Sequence, residues 1–180
     1  MNTYQCKNDI INEHEKKQLI SEAMSYEYVK LNIEGTRFTN HGKSGTISTY
    51  KGDLLIVGLV KKMINSINPK LKFSIANFTK FAPNDYLFIH TDDHHGRATC
   101  ITWALYPSLN DFSPVKYYNE DETLNEVIYY EKNPLIITTK NKHSCKNEST
   151  ENRYTFQICF YDPIETLAEL DQKEELFNCQ

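Results

Sequence analysis

The stretch Phe81–Tyr106, FAPNDYLFIHTDDHHGRATCITWALY, decides how this chain is read. Runs rich in Phe, Ile, Tyr and Thr flank a polar turn, which is the pattern of paired strands. At its centre stands His90-Thr91-Asp92. Along an extended strand, side chains at i and i+2 point to the same face. His90 and Asp92 therefore present an imidazole and a carboxylate side by side. Such a pair is two thirds of the two-histidine, one-carboxylate set that holds a metal and keeps coordination positions open, though His-x-Asp alone is a common pattern. His143 and, beyond it, Arg153 lie downstream. His94 and His95 read as the loop after the strand.

Working outward, the N-terminal side is helical. Residues 1–10 read as loose and polar. From about Ile11 to Leu31, Ile11, Leu19, Ile20, Ala23 and Met24 recur near one face. Residues 33–50 read as loop, including His41, with a short strand near Thr46–Tyr50. Gly52-Asp53 opens a second helix, with Asp53 as N-cap and Leu54, Val57, Leu59 and Val60 apolar; Asn68-Pro69 ends it. On the C-terminal side, strands are expected near 71–81, 85–91, 98–106, 124–130, 134–140 and 153–161. A helix follows from Pro163 to Phe177. The sequence predicts one domain over 1–180: mostly helical support in 1–70, a β core in 71–162 and a helical tail in 163–180.

Composition narrows the classes. A chain of 180 residues suits one domain with a real core. Twelve Tyr and nine Phe favour a folded, strand-rich chain over disorder. The net charge of −4 is spread without a basic stripe, so no nucleic-acid or membrane partner is expected. The apolar run Leu54–Val60 is too short to span a bilayer. The N-terminus lacks the apolar core of a secretory signal. Five cysteines with no C-x-x-C pair argue against a disulfide scaffold or zinc ribbon. Reduced thiols and a cytoplasmic location are the expectation.

Two strands carry a telling parity. In Arg153–Ile158, Tyr154, Phe156 and Ile158 form an apolar face, while Arg153, Thr155 and Gln157 form a polar one. In Thr102–Tyr106, Trp103 and Leu105 oppose Thr102, Ala104 and Tyr106. Either the polar face meets water, or it lines a cavity inside a barrel whose apolar face lies under the N-terminal helices. Spacing leaves both open.

These segments resemble the iron-site strands of Fe(II)/2-oxoglutarate-dependent dioxygenases, in the prolyl 4-hydroxylase-like branch. The resemblance spans roughly residues 71–162 and includes NPLIITTKNKHSCKNESTENRYTFQICFYD. It implies a mainly β fold with flanking helices. That fold is a double-stranded β-helix, a jelly-roll barrel, with two N-terminal helices and a C-terminal helix. It implies His90, Asp92 and His143 as iron ligands, and Arg153 as the residue binding the far carboxylate of 2-oxoglutarate, a role its planar fork suits. Thr155 matches the hydroxyl residue following that Arg, and Thr102 with Tyr106 matches a Thr-x-x-x-Tyr pattern reaching the same carboxylate. Fe(II), 2-oxoglutarate and dioxygen are the implied cofactors, with ascorbate as an optional reductant. The implied activity is C–H hydroxylation of a prolyl residue in a protein or peptide. A free amino acid or small metabolite is the alternative substrate, and a catalytically silent metal-binding β-barrel the alternative class.

The chain departs from the pattern in places. Lys80 and Phe81 stand where many members carry a Tyr, whose hydrogen bond is then either absent or supplied by Tyr86. The Gly-Gly-x-Leu ahead of the distal histidine is replaced by VKYYNEDETLNEVIYY. The second Arg of AlkB-type nucleobase repair enzymes is missing. Asp92 stands where related halogenases have a small residue. Cys145, near His143, reads as structural, since a thiolate beside an oxygen-activating metal invites oxidation. Trp103 and the Tyr-rich 117–130 segment are candidates to shape a substrate mouth, though packing suits Trp103 better.

Overall fold

The computed structural model describes residues 1–25, 28, 45–49, 58–92 and 96–177, with backbone only over 45–49. Ten strands occur among them: β1 (Thr3–Gln5), β2 (Gly45–Thr49), β3 (Phe73–Phe81), β4 (Tyr86–His90), β5 (Thr99–Tyr106), β6 (Val115–Tyr118), β7 (Leu124–Ile128), β8 (Leu135–Thr138), β9 (His143–Lys146) and β10 (Arg153–Phe160). Three helices accompany them: α1 (Glu13–Ser25), α2 (Gly58–Asn65) and α3 (Ile164–Gln172).

The strands form two antiparallel sheets. The larger runs β1-β8-β5-β10-β3-β2 and the smaller β4-β9-β6-β7. From β3 to β10 the chain passes repeatedly between the sheets, with only the β6–β7 hairpin staying within one. This winding is the double-stranded β-helix, a jelly roll with flanking helices. β-Branched and aromatic residues such as Thr102, Trp103, Tyr154 and Phe156 suit strands buried on both faces.

The larger sheet's two faces have different work. Its outer face carries Ala76, Phe78, Trp103, Leu105, Tyr154, Phe156 and Ile158, which pack with Leu19 and Ala23 of α1, Val60 and Met63 of α2, and Ile164 and Leu167 of α3. Of the polar residues of β10, Arg153 and Thr155 are buried inside the barrel and Gln157 is half-buried. Trp103 belongs to the helix side, where its indole N–H donates to Asp9 Oδ1 at 2.9 Å.

Local chemistry explains the element ends. Asn12 accepts from the Glu15 N–H at 2.9 Å while Glu15 accepts from the Asn12 N–H at 3.0 Å, a reciprocal cap that starts α1. Pro163 precedes α3, where its fixed φ suits helix entry. Beyond α3, Leu176 and Phe177 join the core, and Phe177 bridges to Ile67. The Asp53 cap, Leu54, Val57, His41 and the segment 29–31 lie outside the described residues.

Three expectations need correction. Residues 1–10 are not loose throughout: β1 pairs with β8, and Asp171 of α3 accepts from the Tyr4 hydroxyl at 3.0 Å and the Lys7 N–H at 2.9 Å. β6 pairs with both β7 and β9, although its polar, Tyr-rich sequence gave no strand signal. The cysteines are not all reduced: Cys100 and Cys159 face each other across β5 and β10 and are joined by a disulfide. They stand 59 positions apart in sequence, so only register brings them together. The bridge removes the argument from free thiols on which a cytoplasmic location rested. Among the described residues, no helix is long and apolar enough to cross a membrane.

Candidate functional site

His90 ends β4, Asp92 follows it, and His143 begins β9. Strand pairing sets His90 directly opposite His143. The Asp92 N–H donates to the Thr139 carbonyl at 2.8 Å, which pins the residue beside the barrel rim. One ligand atom from each of the three side chains lies within 4.8 Å of the others. The His rings are 4.3 Å apart between centroids, and His90 Nε2 is 4.0 Å from Asp92 Oδ1. His143 is buried, whereas His90 and Asp92 are half-buried, so one side stays open.

Both imidazoles are fixed in the same way. His90 Nδ1 contacts the Phe88 carbonyl at 2.7 Å, and His143 Nδ1 contacts the Asn141 carbonyl at 2.8 Å. A carbonyl only accepts, so each Nδ1 carries the proton and each Nε2 lone pair is free for a metal. Burial, reinforced by neighbouring His90, lowers the His143 pKa from 6.5 to about 4. His143 is therefore neutral and ready to ligate at pH 7.

A β-bulge delivers His90 to the interior. Leu87 pairs with Cys145 and His90 with His143, so three residues of β4 advance against two of β9. Tyr86 and Phe88 share the outer face of this sheet, with ring centroids 4.7 Å apart. Tyr86 is thus turned away from the barrel interior.

Arg153 lies 3% exposed at the opposite end of β10 from the disulfide. Its guanidinium sits 4.5 Å from the Phe112 ring centroid, 5.5 Å from Phe81 and 5.7 Å from Tyr130. Nη2 donates to the Tyr130 hydroxyl at 3.5 Å, while Nε and Nη1 have no partner. Among the described residues, no carboxylate pairs with it. Burial pushes the Cys145 thiol up in pKa, against the opposing charge of neighbouring Arg153. Cys145 is one inward step from His143 on β9, about 7 Å. The unpaired cation and the His/Asp/His cluster are therefore separated by roughly the length of a small diacid.

The other expected residues divide. Thr155 is buried on the same face as Arg153, and Thr102 is buried opposite Gln157, whose Nε2 donates to Thr102 Oγ1 at 3.4 Å. Tyr106 is not brought to Arg153. A second bulge, between Tyr154 and Thr155, pairs Tyr106 with Tyr154 and turns it to the helix side. Its hydroxyl donates there to Glu151. The hydroxyl beside Arg153 belongs to Tyr130, which sequence reasoning placed only within a mouth-forming segment. Nothing in its spacing marks it, because it follows β7 and reaches the guanidinium through the fold alone. His94 and His95 lie outside the described residues.

No family model matches the sequence, and no curated protein matches it. Solved structures match the fold. A Pseudomonas putida prolyl 4-hydroxylase aligns with a TM-score of 0.60 at 11% identity, covering 88% of this chain and 91% of that one. A viral collagen prolyl hydroxylase from Paramecium bursaria Chlorella virus-1, solved with 2-oxoglutarate, aligns with a TM-score of 0.58 at 13% identity, covering 89% and 96%. A Trichoplax adhaerens prolyl hydroxylase, solved with a peptide fragment of hypoxia-inducible factor, gives 0.60 at 12% identity, covering 97% and 86%. The chain thus has the fold of the 2-oxoglutarate/Fe(II) oxygenases of the prolyl hydroxylase-like kind.

Proposed function

We propose that this chain is a 2-oxoglutarate- and Fe(II)-dependent dioxygenase that hydroxylates a C–H bond, with residues 1–180 as one catalytic domain. The observation that carries this is the buried Arg153, unpaired, one strand step beyond the side chains that converge on a metal position. A buried cation is costly unless paired. The far carboxylate of 2-oxoglutarate would pair it.

The donor set fits iron: two imidazole Nε2 atoms and one carboxylate, with an open side. His90, Asp92 and His143 would hold it; when bound, Fe(II) supplies the oxygen activation that couples decarboxylation of 2-oxoglutarate to hydroxylation. One oxygen atom of O2 enters the substrate as hydroxyl, the other enters succinate, and CO2 leaves. Arg153 orients the cosubstrate through its free Nε and Nη1, with Thr155 on the same wall. The Tyr130 hydroxyl, rather than Tyr106, stands ready to share that carboxylate. The aromatic cage of Phe81, Phe112 and Tyr130 keeps water from the ion pair and strengthens it.

The prolyl reading of the substrate draws support from the fold shared with prolyl hydroxylases, one of them solved with a peptide. A free amino acid or small metabolite is favoured by the polar interior described next. The test is succinate release from 2-oxoglutarate with Fe(II) and O2, run with wild type and with His143→Ala. Wild type is expected to release succinate and the variant none. No succinate from wild type would leave a silent metal-binding barrel.

A further inference from the structure

The barrel interior is divided along its length. An apolar cluster gathers Ala104 of β5, Val115 and Tyr117 of β6, and Leu135 and Ile137 of β8, takes in Phe112, Tyr130 and Cys159 with Ile75 against it, and includes no residue of β4 or β9. The polar half lies under β4 and β9, the strands that carry His90 and His143. Contacts between the sheets fix this alignment. The Tyr117 hydroxyl of β6 donates to the Thr138 carbonyl of β8 at 2.9 Å, whereas Cys145 of β9 meets Arg153 of β10.

The polar half is built from rows across three strands. Thr79 pairs with Thr155, and Asn77 pairs with Gln157, which pairs with Thr102. The intervening Ala76, Phe78, Phe156 and Ile158 all belong to the outer core, so this row faces inward. Asn77 is 9% exposed, and its Oδ1 has no hydrogen-bond partner. Gln157 is half-buried and spends its Nε2 on Thr102, leaving Oε1 without a donor among the described residues. From Arg153, Gln157 lies two inward steps along β10, about 13 Å, while His143 lies one step beyond the Cys145 that touches Arg153. The amide row is thus past the metal ligands as viewed from the cosubstrate anchor. The substrate to be oxidised belongs on that side.

We propose that Asn77 and Gln157 bind the primary substrate through its N–H groups, and that this substrate is a free amino acid rather than a prolyl residue of a polypeptide. This rests on the dioxygenase reading above. Two amide oxygens turned into the barrel interior call for donors, and a buried acceptor left unpaired is costly. A prolyl residue within a chain has no N–H, and its ring offers only C–H. The ammonium of a free amino acid brings several donors.

The experiment uses the full chain in two stages. First, 2-oxoglutarate is titrated into the zinc(II)-loaded protein, and substrate-independent succinate release is measured with Fe(II). Next, the standard free amino acids and the capped peptide N-acetyl-Ala-Pro-Gly-amide are compared. Binding is read by saturation-transfer NMR on the inert zinc form, and stimulated succinate release on the iron form. At least one amino acid is expected to bind and stimulate, and the capped peptide to do neither. Asn77→Leu should raise the KM of that amino acid at least about tenfold while 2-oxoglutarate affinity stays unchanged. Asn77→Asp, which keeps an acceptor, should retain binding. A capped peptide that binds, an amino-acid panel that does not, or an unchanged KM in Asn77→Leu overturns the proposal. Failure of 2-oxoglutarate to bind in the first stage instead overturns the dioxygenase reading, and the substrate assignment with it. The panel comparison on unmodified protein needs no variant to fold.

Discussion

Arg153 and His143 pose opposite electrical problems inside one barrel. Arg153 keeps its charge and needs an anion. Arg153→Ala should therefore weaken 2-oxoglutarate binding at least about tenfold, since hydrogen bonds to a charged group are worth about 1.5–3 kcal/mol each. Zinc(II) binding should survive. Arg153→Lys should recover only part, because an ammonium lacks the planar fork. Calorimetric titration with 2-oxoglutarate decides, and unchanged affinity in the alanine variant would sink the assignment. His143 instead refuses a charge. Its folded pKa is depressed to about 4, chiefly by burial, so below pH 6.5 the unfolded chain takes up a proton that the native state rejects. The metal-free protein should lose stability as pH falls from about 6.5 toward 4, by on the order of 3 kcal/mol, and show no such loss above pH 6.5. Urea midpoints across that range, in wild type and in His143→Gln, should show the slope flattened in the variant.

At the scale of elements, two bulges decide what the site contains. Strand parity in the sequence correctly separated Tyr154, Phe156 and Ile158 from Arg153 and Thr155, because β10 keeps its alternation from residue 153 to 158. It placed Tyr106 wrongly because an extra residue in β5 resets alternation there. His90 reaches the interior by a similar slip in β4. A bulge leaves little trace in a single sequence, since any residue can be the extra one. Tyr130 and the Cys100–Cys159 pair were equally hidden, being products of long-range register. The His90-Asp92 pair and the strand run after residue 71 were legible because each is local, whereas His143 joins the pair only through the β4–β9 register. The N-terminal strand adds a testable case. Asp171 is 1% exposed and ties β1 to α3 through Tyr4 and Lys7. Burial, then the bond to Asp171, raises the Tyr4 pKa to about 12. Asp171→Ala should cost about 1–3 kcal/mol and speed amide exchange over residues 3–7. Exchange at the wild-type rate would mean that β1 is held by its β8 pairing alone.

The whole molecule joins an apolar outer core to a partly polar barrel interior. Phe156 sits fully buried between Phe78 and Trp103, at 4.9 and 5.7 Å between ring centroids, where sheet and helices meet. Phe156→Ala should destabilise by about 3–5 kcal/mol, visible as a lowered urea midpoint. Ligands that bind only the native state should move stability the other way. Zinc(II) and 2-oxoglutarate together should raise the melting temperature of wild type, and Arg153→Ala should keep the zinc increment but lose the 2-oxoglutarate one. The disulfide adds a different kind of observable. Cys100 and Cys159 are 3% and 1% exposed, enclosed between the central strands of the larger sheet. A dissolved thiol must reach a sulfur atom to cut the bond. The native barrel bars that approach, so each cleavage records a moment when β5 and β10 had parted from the smaller sheet. Reductant thus becomes a stopwatch for breathing of the barrel, and any ligand that clamps the two sheets together should slow its hand.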